Sequence, residues 1–401
     1  MAYATGALAA LLVVAFAYNV LSAVVAVSFG RRVRGHRAEP AHECPGVSIL
    51  VPLEGDEPGL FDNLAAYCRL RYPGPVQLVV GSIDPADAAL GLARRVADRH
   101  GDADVAIVGG ARIVGPNRKA SLLAALGTHA RHPIVAALDS DVRVAPDYLS
   151  RVVPALLQPG VGLVSCVYRG SGASTLARAY ERLCINTDFC PSVMVAAALG
   201  RRDIALGASI LLRADTLARI GGFAAVADHL ADDHRIGELV AAGGERIALA
   251  PCVVESDPNP ATIGAALRHQ VRWARTVRAC APVGYGATIV THGTTFIACA
   301  LALRSPLSVP VAAAMLSRVG AAAAGVWALG ARIDWTMALL PIRDLVATGV
   351  WLASFASDRV EWRGRHYRVG REGHLRLADL PPAILETVER DVAVEHTRGA
   401  A

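Results

Sequence analysis

Apolar and polar positions change their rhythm twice along the chain. Residues 4–29, ATGALAALLVVAFAYNVLSAVVAVSF, form an uncharged run of about 26 residues, longer than the ~20 needed to cross a bilayer. From 46 to 250 short apolar runs alternate with amphipathic stretches. VSILVPL (47–53), VQLVVGS (76–82), DVAIVGG (104–110) and IVAALDS (134–140) predict strands, while 58–71, 85–100, 118–131 and 146–157 carry helical spacing. VGLVSCVY (161–168) and LGASILLR (206–213) predict two further strands, and 231–243 another helix. This βαβα alternation implies an α/β fold with a largely parallel, buried sheet. Apolar density then returns at 286–303, 306–330 and 335–356.

Charges modify the picture of these last segments. A charge at the bilayer centre costs about 2.5–3.5 kcal/mol on insertion scales. Arg318 and the Arg343–Asp344 pair therefore predict that one segment is interfacial or re-entrant, leaving two crossings. Three crossings would export the basic stretch DRVEWRGRHYRVGREGHLR. After the first run comes RRVRGHR (Arg31, Arg32, Arg34, Arg37) where a signal peptide would have a small-residue cleavage site; this puts the next domain in the cytoplasm. The expected organisation is an N-terminal transmembrane helix (1–30), a cytoplasmic α/β domain (31–260) and an interfacial amphipathic helix (261–282). C-terminal membrane segments (283–357) and a basic cytoplasmic tail (358–401) follow, in a multi-pass protein of the cell inner membrane.

Composition agrees: 53% of the 401 residues are hydrophobic and 19% charged, too apolar for an ordinary soluble domain. A net charge of +5 gives no support for nucleic-acid binding. The eight cysteines show no CxxC pair or metal-ligand spacing and read as reduced thiols.

Candidate chemistry gathers where strands end. Ligands of such sheets sit beyond the carboxyl ends of strands. Asp139 and Asp141, at i and i+2 after a VAAL strand, can share one hard cation, Mg²⁺ or Mn²⁺, beside a diphosphate; this placement favours a metal site over a surface turn. Asp84 also follows a strand, as a helix start before Pro85 or as an acceptor for a nucleobase N–H. Lys119 opens a helix, solvated or reaching a base or diphosphate. Asp232 and Asp233 are helix caps or a general base. Gln270, Arg272 and Trp273 lie in the basic stretch LRHQVRWARTVR, read as a membrane-surface helix whose inward side can close over a diphosphate and an acceptor.

Asp84, LDSDVRV, the third acid in DDH and the QVRW of Gln270–Trp273, in this order, resemble a membrane-bound glycosyltransferase of the family 2/21 type. GVSILVPLEGDEPGLFDNL, GASILLRADTLARIGGF and WRGRHYRVG are similar to ceramide glucosyltransferases and the bacterial hopanoid-biosynthesis glycosyltransferase. The resemblance spans most of 46–370 and implies a GT-A, nucleotide-sugar-binding fold. It implies Asp84, Lys119 and Asp139 for the nucleotide sugar, Asp139 and Asp141 for the metal, and Asp233 as catalytic base, with Asp232 as the competing acid. Gln270, Arg272 and Trp273 would serve the diphosphate and acceptor end. The implied reaction is inverting transfer from a UDP-sugar to a membrane lipid hydroxyl. UDP-N-acetylglucosamine and a hopanoid polyol such as bacteriohopanetetrol are favoured over UDP-glucose and ceramide. A non-catalytic nucleotide-sugar-binding membrane protein is the reading from another class.

Overall fold

The computed structural model describes residues 2–36, 43–172, 174–362 and 364–378; Arg37, Arg363 and the tail beyond 378 lie outside them. Eight strands form one sheet: β1 Val47–Pro52, β2 Val76–Ser82, β3 Asp104–Gly109, β4 Ile134–Leu138, β5 Val142–Arg143, β6 Val161–Gly170, β7 Ser209–Arg213 and β8 Arg246–Ser256. Their order is β3-β2-β1-β4-β7-β6-β8-β5. The half predicted from alternation is parallel throughout, with β1 between β2 and β4 and β2 beside β3. The second half is mixed. β7 runs antiparallel to both β4 and β6, while β6 and β8 are parallel and β5 is antiparallel to β8. The antiparallel register pairs Leu138 with Ser209, so the segment leading into β7 begins beside the carboxyl end of β4.

Burial on both faces explains the continuous apolar strands. Ile49 and Val51 face Leu64, Tyr67 and Tyr148, whereas Leu50 and Val79 face Leu123, Leu126 and Phe223. Each large side chain so buried contributes roughly 1.5–3 kcal/mol.

The stretch expected as a basic tail begins as a second, antiparallel sheet. β9 Arg359–Trp362, β10 Arg365–Val369 and β11 Leu375–Leu377 pair in the order β11-β10-β9. Val360, Tyr367, Val369 and Leu375 bury one face of it against Leu230.

Among the described residues, three helical stretches are long and apolar enough to cross a membrane: Tyr3–Gly35, Ser308–Ala328 and Trp335–Phe355. The segment 286–303 breaks into separate pieces, of which Gly293–Ala302 is the longest. Ten residues rise about 15 Å, half of a ~30 Å hydrocarbon core, so the segment without internal charges is the short one. The charges of the other two are paired. Arg318 Nε and Nη2 each lie 2.8 Å from an oxygen of Asp344. Arg343 Nη1 reaches the same carboxylate at 2.8 Å, and its Nη2 meets Asp188. The insertion cost argued from single residues therefore does not apply to them.

Arg318 also ties these helices to the α/β domain. Between helices Leu176–Cys184 and Cys190–Ala198 lies a π turn, Ile185–Phe189. Pro191 has no N–H to give Thr187 O, four residues back. Arg318 Nη1 donates to that carbonyl instead, at 3.1 Å, and Cys190 N reaches back to Ile185 O.

Helix Ile263–Cys280, expected on the membrane surface, uses two of its arginines internally. Arg275 donates to Ala353 O and Arg359 O, and Arg278 to Ser357 O. These carbonyls lie at and just beyond the end of helix Leu340–Phe355, where backbone acceptors lack helical partners and cations are favoured.

Candidate active site

Asp139, Ser140 and Asp141 bridge β4 to β5 at the carboxyl edge of the sheet. Asn63 Nδ2 donates to Ser140 O at 3.0 Å and Tyr67 OH to Val142 O at 2.6 Å, so helix Leu60–Cys68 fixes the loop. Ser256 Oγ donates to Asp141 Oδ2 at 2.7 Å. Burial, and then the charge of Asp139, push the Asp141 carboxyl up to about 6.

Lys119 enters from the first turn of helix Arg118–Gly127, capped by Asn117, whose Oδ1 accepts from Ala120 N at 3.0 Å. Its Nζ lies 2.6 Å from Asp139 Oδ1 and 3.9 Å from Asp232 Oδ2. Burial opposes the ammonium charge, but Asp139, Asp232 and Asp233 outweigh it and raise the Lys119 pKa above its ordinary value. Asp232 is pushed up to about 6 by burial, with Lys119 pulling the other way and Asp233 and Asp139 adding repulsion. Asp233 opens helix Asp232–Ala242; its Oδ2 accepts from Gly207 N at 2.7 Å and its Oδ1 from His234 N at 2.8 Å. Gly207 belongs to the segment that antiparallel β7 brings to this edge, and only a residue without Cβ fits comfortably. A Cβ there would stand 3.1 Å from Asp233 Oδ2 and 3.2 Å from Lys119 Nζ. Lys119, Leu138, Gly207, Phe223 and Asp232 line a cleft at this point. Asp139, Asp141, Asp233 and Lys119 thus share one locus, which also takes in Asp232.

Asp84 stands apart. It is exposed past the end of β2, two strands from β4, and its Oδ1 accepts from Ala86 N at 2.9 Å. The expected helix start at 85 moves to Ala88, because Asp87 is the cap and accepts from Ala89 N.

The Gln270–Trp273 element approaches from the other side. Gln270 Nε2 donates to Glu181 Oε2 at 2.9 Å, and His269 Nδ1 lies 3.0 Å from Glu181 Oε1, on a fully buried carboxylate. Trp273 packs at 4.6 Å from the His269 ring and 5.2 Å from Phe189, which is 5.7 Å from Tyr168. Burial raises the Tyr168 pKa first, followed by Cys190 and then Asp233, Asp141 and Asp139, so this aromatic chain ends within electrostatic reach of the acids. Arg272 instead stacks over Trp362 of β9, 5.8 Å from the ring centre.

Glu181, Ser256 and Gly207 are the residues that sequence reasoning passed over. Glu181 reads as an ordinary helix position 89 residues from its partner Gln270. Gly207, near the start of the predicted strand 206–213, carried a usable signal, since strand-edge glycines mark close approach.

The donor set suits a hard divalent cation: two carboxylates two residues apart, one of them disfavoured as an anion by burial and by its neighbour. Residues 7–375 match glycosyl transferase family 21. The chain belongs to that family. Ceramide glucosyltransferase 1 of Caenorhabditis elegans is 23% identical to this family 21 chain over 215 residues, 53% of the chain and 46% of the relative. Ceramide glucosyltransferase 3 of the same organism is 20% identical over 253 residues, 63% and 55%. The chain spans about half the length of these curated relatives. Among solved structures, a mannosyltransferase from Pyrobaculum calidifontis in complex with GDP-Man and Mn²⁺ is 21% identical, with a TM-score of 0.50. That likeness covers 87% of this chain and 98% of the other, and it establishes a GT-A-like fold.

Proposed function

We propose that this family 21 chain transfers a hexose, with inversion, from a UDP-sugar to a lipid hydroxyl at the cytoplasmic face of the inner membrane. The gathering of Asp139, Asp141, Asp232 and Asp233 around Lys119, beside a cleft that Lys119 and Asp232 line, carries the reading. Asp233 is the proposed base. Two backbone amides hold its carboxylate in place, and each oxygen keeps a lone pair for an incoming proton. The acceptor oxygen bonds to the anomeric carbon, the bond from that carbon to the diphosphate oxygen breaks, and the hydroxyl proton passes to Asp233. Lys119 balances Asp139 and Asp232, keeping the pocket from rejecting an anionic donor. A divalent cation bound by Asp139 and Asp141 would act as a Lewis acid on the departing diphosphate. Asp84 remains the proposed nucleobase contact, and Gln270, Arg272 and Trp273 the proposed acceptor end.

An acceptor with a long apolar body does not leave the bilayer cheaply, which suits a cleft on a chain with three membrane-length helices. UDP-N-acetylglucosamine and a hopanoid polyol are the favoured pair on the sequence resemblance. The ceramide glucosyltransferase relatives favour UDP-glucose and ceramide as the second. Asp233→Asn, assayed in nanodiscs with UDP-sugar binding measured separately, is expected to lower turnover by about 10²–10⁴-fold with donor binding retained. Near-normal turnover rejects the base assignment. Comparing both donors with both acceptors in the same assay decides the substrate pair.

A further inference from the structure

Beside the second sheet lies a cluster that the sugar-transfer reading does not use. Asp228, His229 and His374 offer ligand atoms that all lie within 4.8 Å of one another. His229 Nδ1 is 2.6 Å from Asp228 Oδ1, and His374 Nδ1 is 3.2 Å from Asp228 Oδ2. The two rings stand 4.1 Å apart between centroids.

We propose that Asp228, His229 and His374 form a binding site for a borderline transition-metal ion of the Zn²⁺ class, joining the second sheet to the loop that carries the catalytic acids. Two imidazoles and one carboxylate are a donor set for Zn²⁺, with a fourth position left to solvent, and not one that Mg²⁺ favours. His229 is only 4% exposed, and its Nε2 is buried without a hydrogen-bond partner. Packing therefore fixes the ring, with Nδ1 turned toward Asp228. Asp228 and His374 are about half exposed, so an ion has access from solvent. Zn–N and Zn–O bonds of about 2.0–2.2 Å put ligand atoms roughly 3.3 Å apart, so the widest pair must close by more than an ångström. The exposed His374 and Asp228 side chains are free to do so.

The backbone is built for this juxtaposition. His229 and His374 form an isolated antiparallel bridge, with Leu230 N on Gly373 O at 2.9 Å and Leu375 N on Asp228 O at 2.7 Å. Glu372 and Gly373 both have positive φ, 57° and 83°. Glu372 is one of two non-glycine residues so placed among those described, a conformation that needs external support. Asn117 Nδ2 donates to His229 O at 2.7 Å and reaches Asp232 Oδ1 at 3.4 Å. Asn117 therefore links the backbone of one proposed ligand residue to the acid cluster.

The test uses the full-length protein in detergent, stripped with a chelator and kept in millimolar Mg²⁺ to occupy hard oxygen sites. Zn²⁺ is titrated against a chromophoric chelator. The unmodified protein is expected to hold one Zn²⁺ per chain. His374→Gln, which keeps a donor for Asp228 but is a poor ligand, is expected to weaken it at least tenfold, and Asp141→Asn to leave it unchanged. Equal affinity in His374→Gln, or loss in Asp141→Asn alone, overturns the proposal. Should the His374 variant fail to fold, Cu²⁺ on the unmodified chain decides by electron spin-echo modulation. Two imidazole nitrogens support the site, and oxygen-only ligation ends it. The readout is ion binding, so it stands or falls separately from sugar transfer.

Discussion

Replacing Arg318 with methionine removes the guanidinium that holds Asp344 through two 2.8 Å contacts and Thr187 O through one of 3.1 Å. The cluster then passes from two cations and two anions to one cation, Arg343, against the half-exposed Asp188 and the buried Asp344. Removing one partner of a buried pair costs about 3–5 kcal/mol. Asp344 keeps Arg343 Nη1 at 2.8 Å and Thr294 Oγ1 at 2.7 Å, which places the loss at the lower end, about 3 kcal/mol. The double variant Arg318→Met with Asp344→Leu restores the balance, leaving Arg343 on Asp188. It is expected to recover most of the loss, because apolar replacement of a whole buried pair is often neutral. A residual deficit of about 1 kcal/mol remains for Thr187 O, which loses the Arg318 donor in both variants. Unfolding of the full-length protein by SDS titration in mixed micelles, followed by circular dichroism, gives the three free energies. Equal losses in the single and double variants, or none in the single, refute the reasoning.

Three further outcomes follow from the site. Glu181→Ala strips Gln270 and His269 of their shared acceptor; transfer is expected to fall at least tenfold with UDP-sugar affinity retained, measured by kinetics and calorimetry. A carboxyl raised from 3.8 to about 6 by folding, as at Asp141, contributes stability fully present below the lower value and lost as pH climbs through the upper one. In metal-free protein Asp141→Asn is therefore expected to be stabilising above pH ~6, by about 3 kcal/mol at most, and neutral below pH ~4, as read from melting curves across that range. Gly207→Ala places a methyl group against Asp233 and Lys119; activity is expected to drop by one to two orders of magnitude with a melting temperature within about 3 °C of the parent.

Much of the first half-sheet is legible in the sequence, because each parallel strand there is a short apolar run with a polar carboxyl end. VSILV reads as a strand for the same reason that it folds as one: all five residues are buried. Asp139 and Asp141 could be found because β4 ends immediately before them. Where strands pair across long loops, the pattern loses its force. Nothing in SILLR says that it runs antiparallel between β4 and β6, and the position of Gly207 depends on that. The membrane-length helices show the same limit. An isolated Arg318 displays its desolvation cost in the sequence, whereas the carboxylate that offsets it lies 26 residues on, one helix away. At Asp84 only the helix-start alternative falls, since Asp-Pro and the true cap, Asp87, carry similar local signals.

A growing polypeptide leaves the ribosome N-terminus first, so Arg318 appears before Asp344 has been made. On the proposed membrane placement, releasing Ser308–Ala328 into lipid alone would strand a cation in hydrocarbon. The insertion machinery must therefore retain that helix until Leu340–Phe355 follows and discharge the two together as a hairpin. The opening helix is under no such constraint. Ala2–Gly35 has no charge before Arg31 and can wait in the bilayer while the catalytic domain is translated and its packing partner arrives.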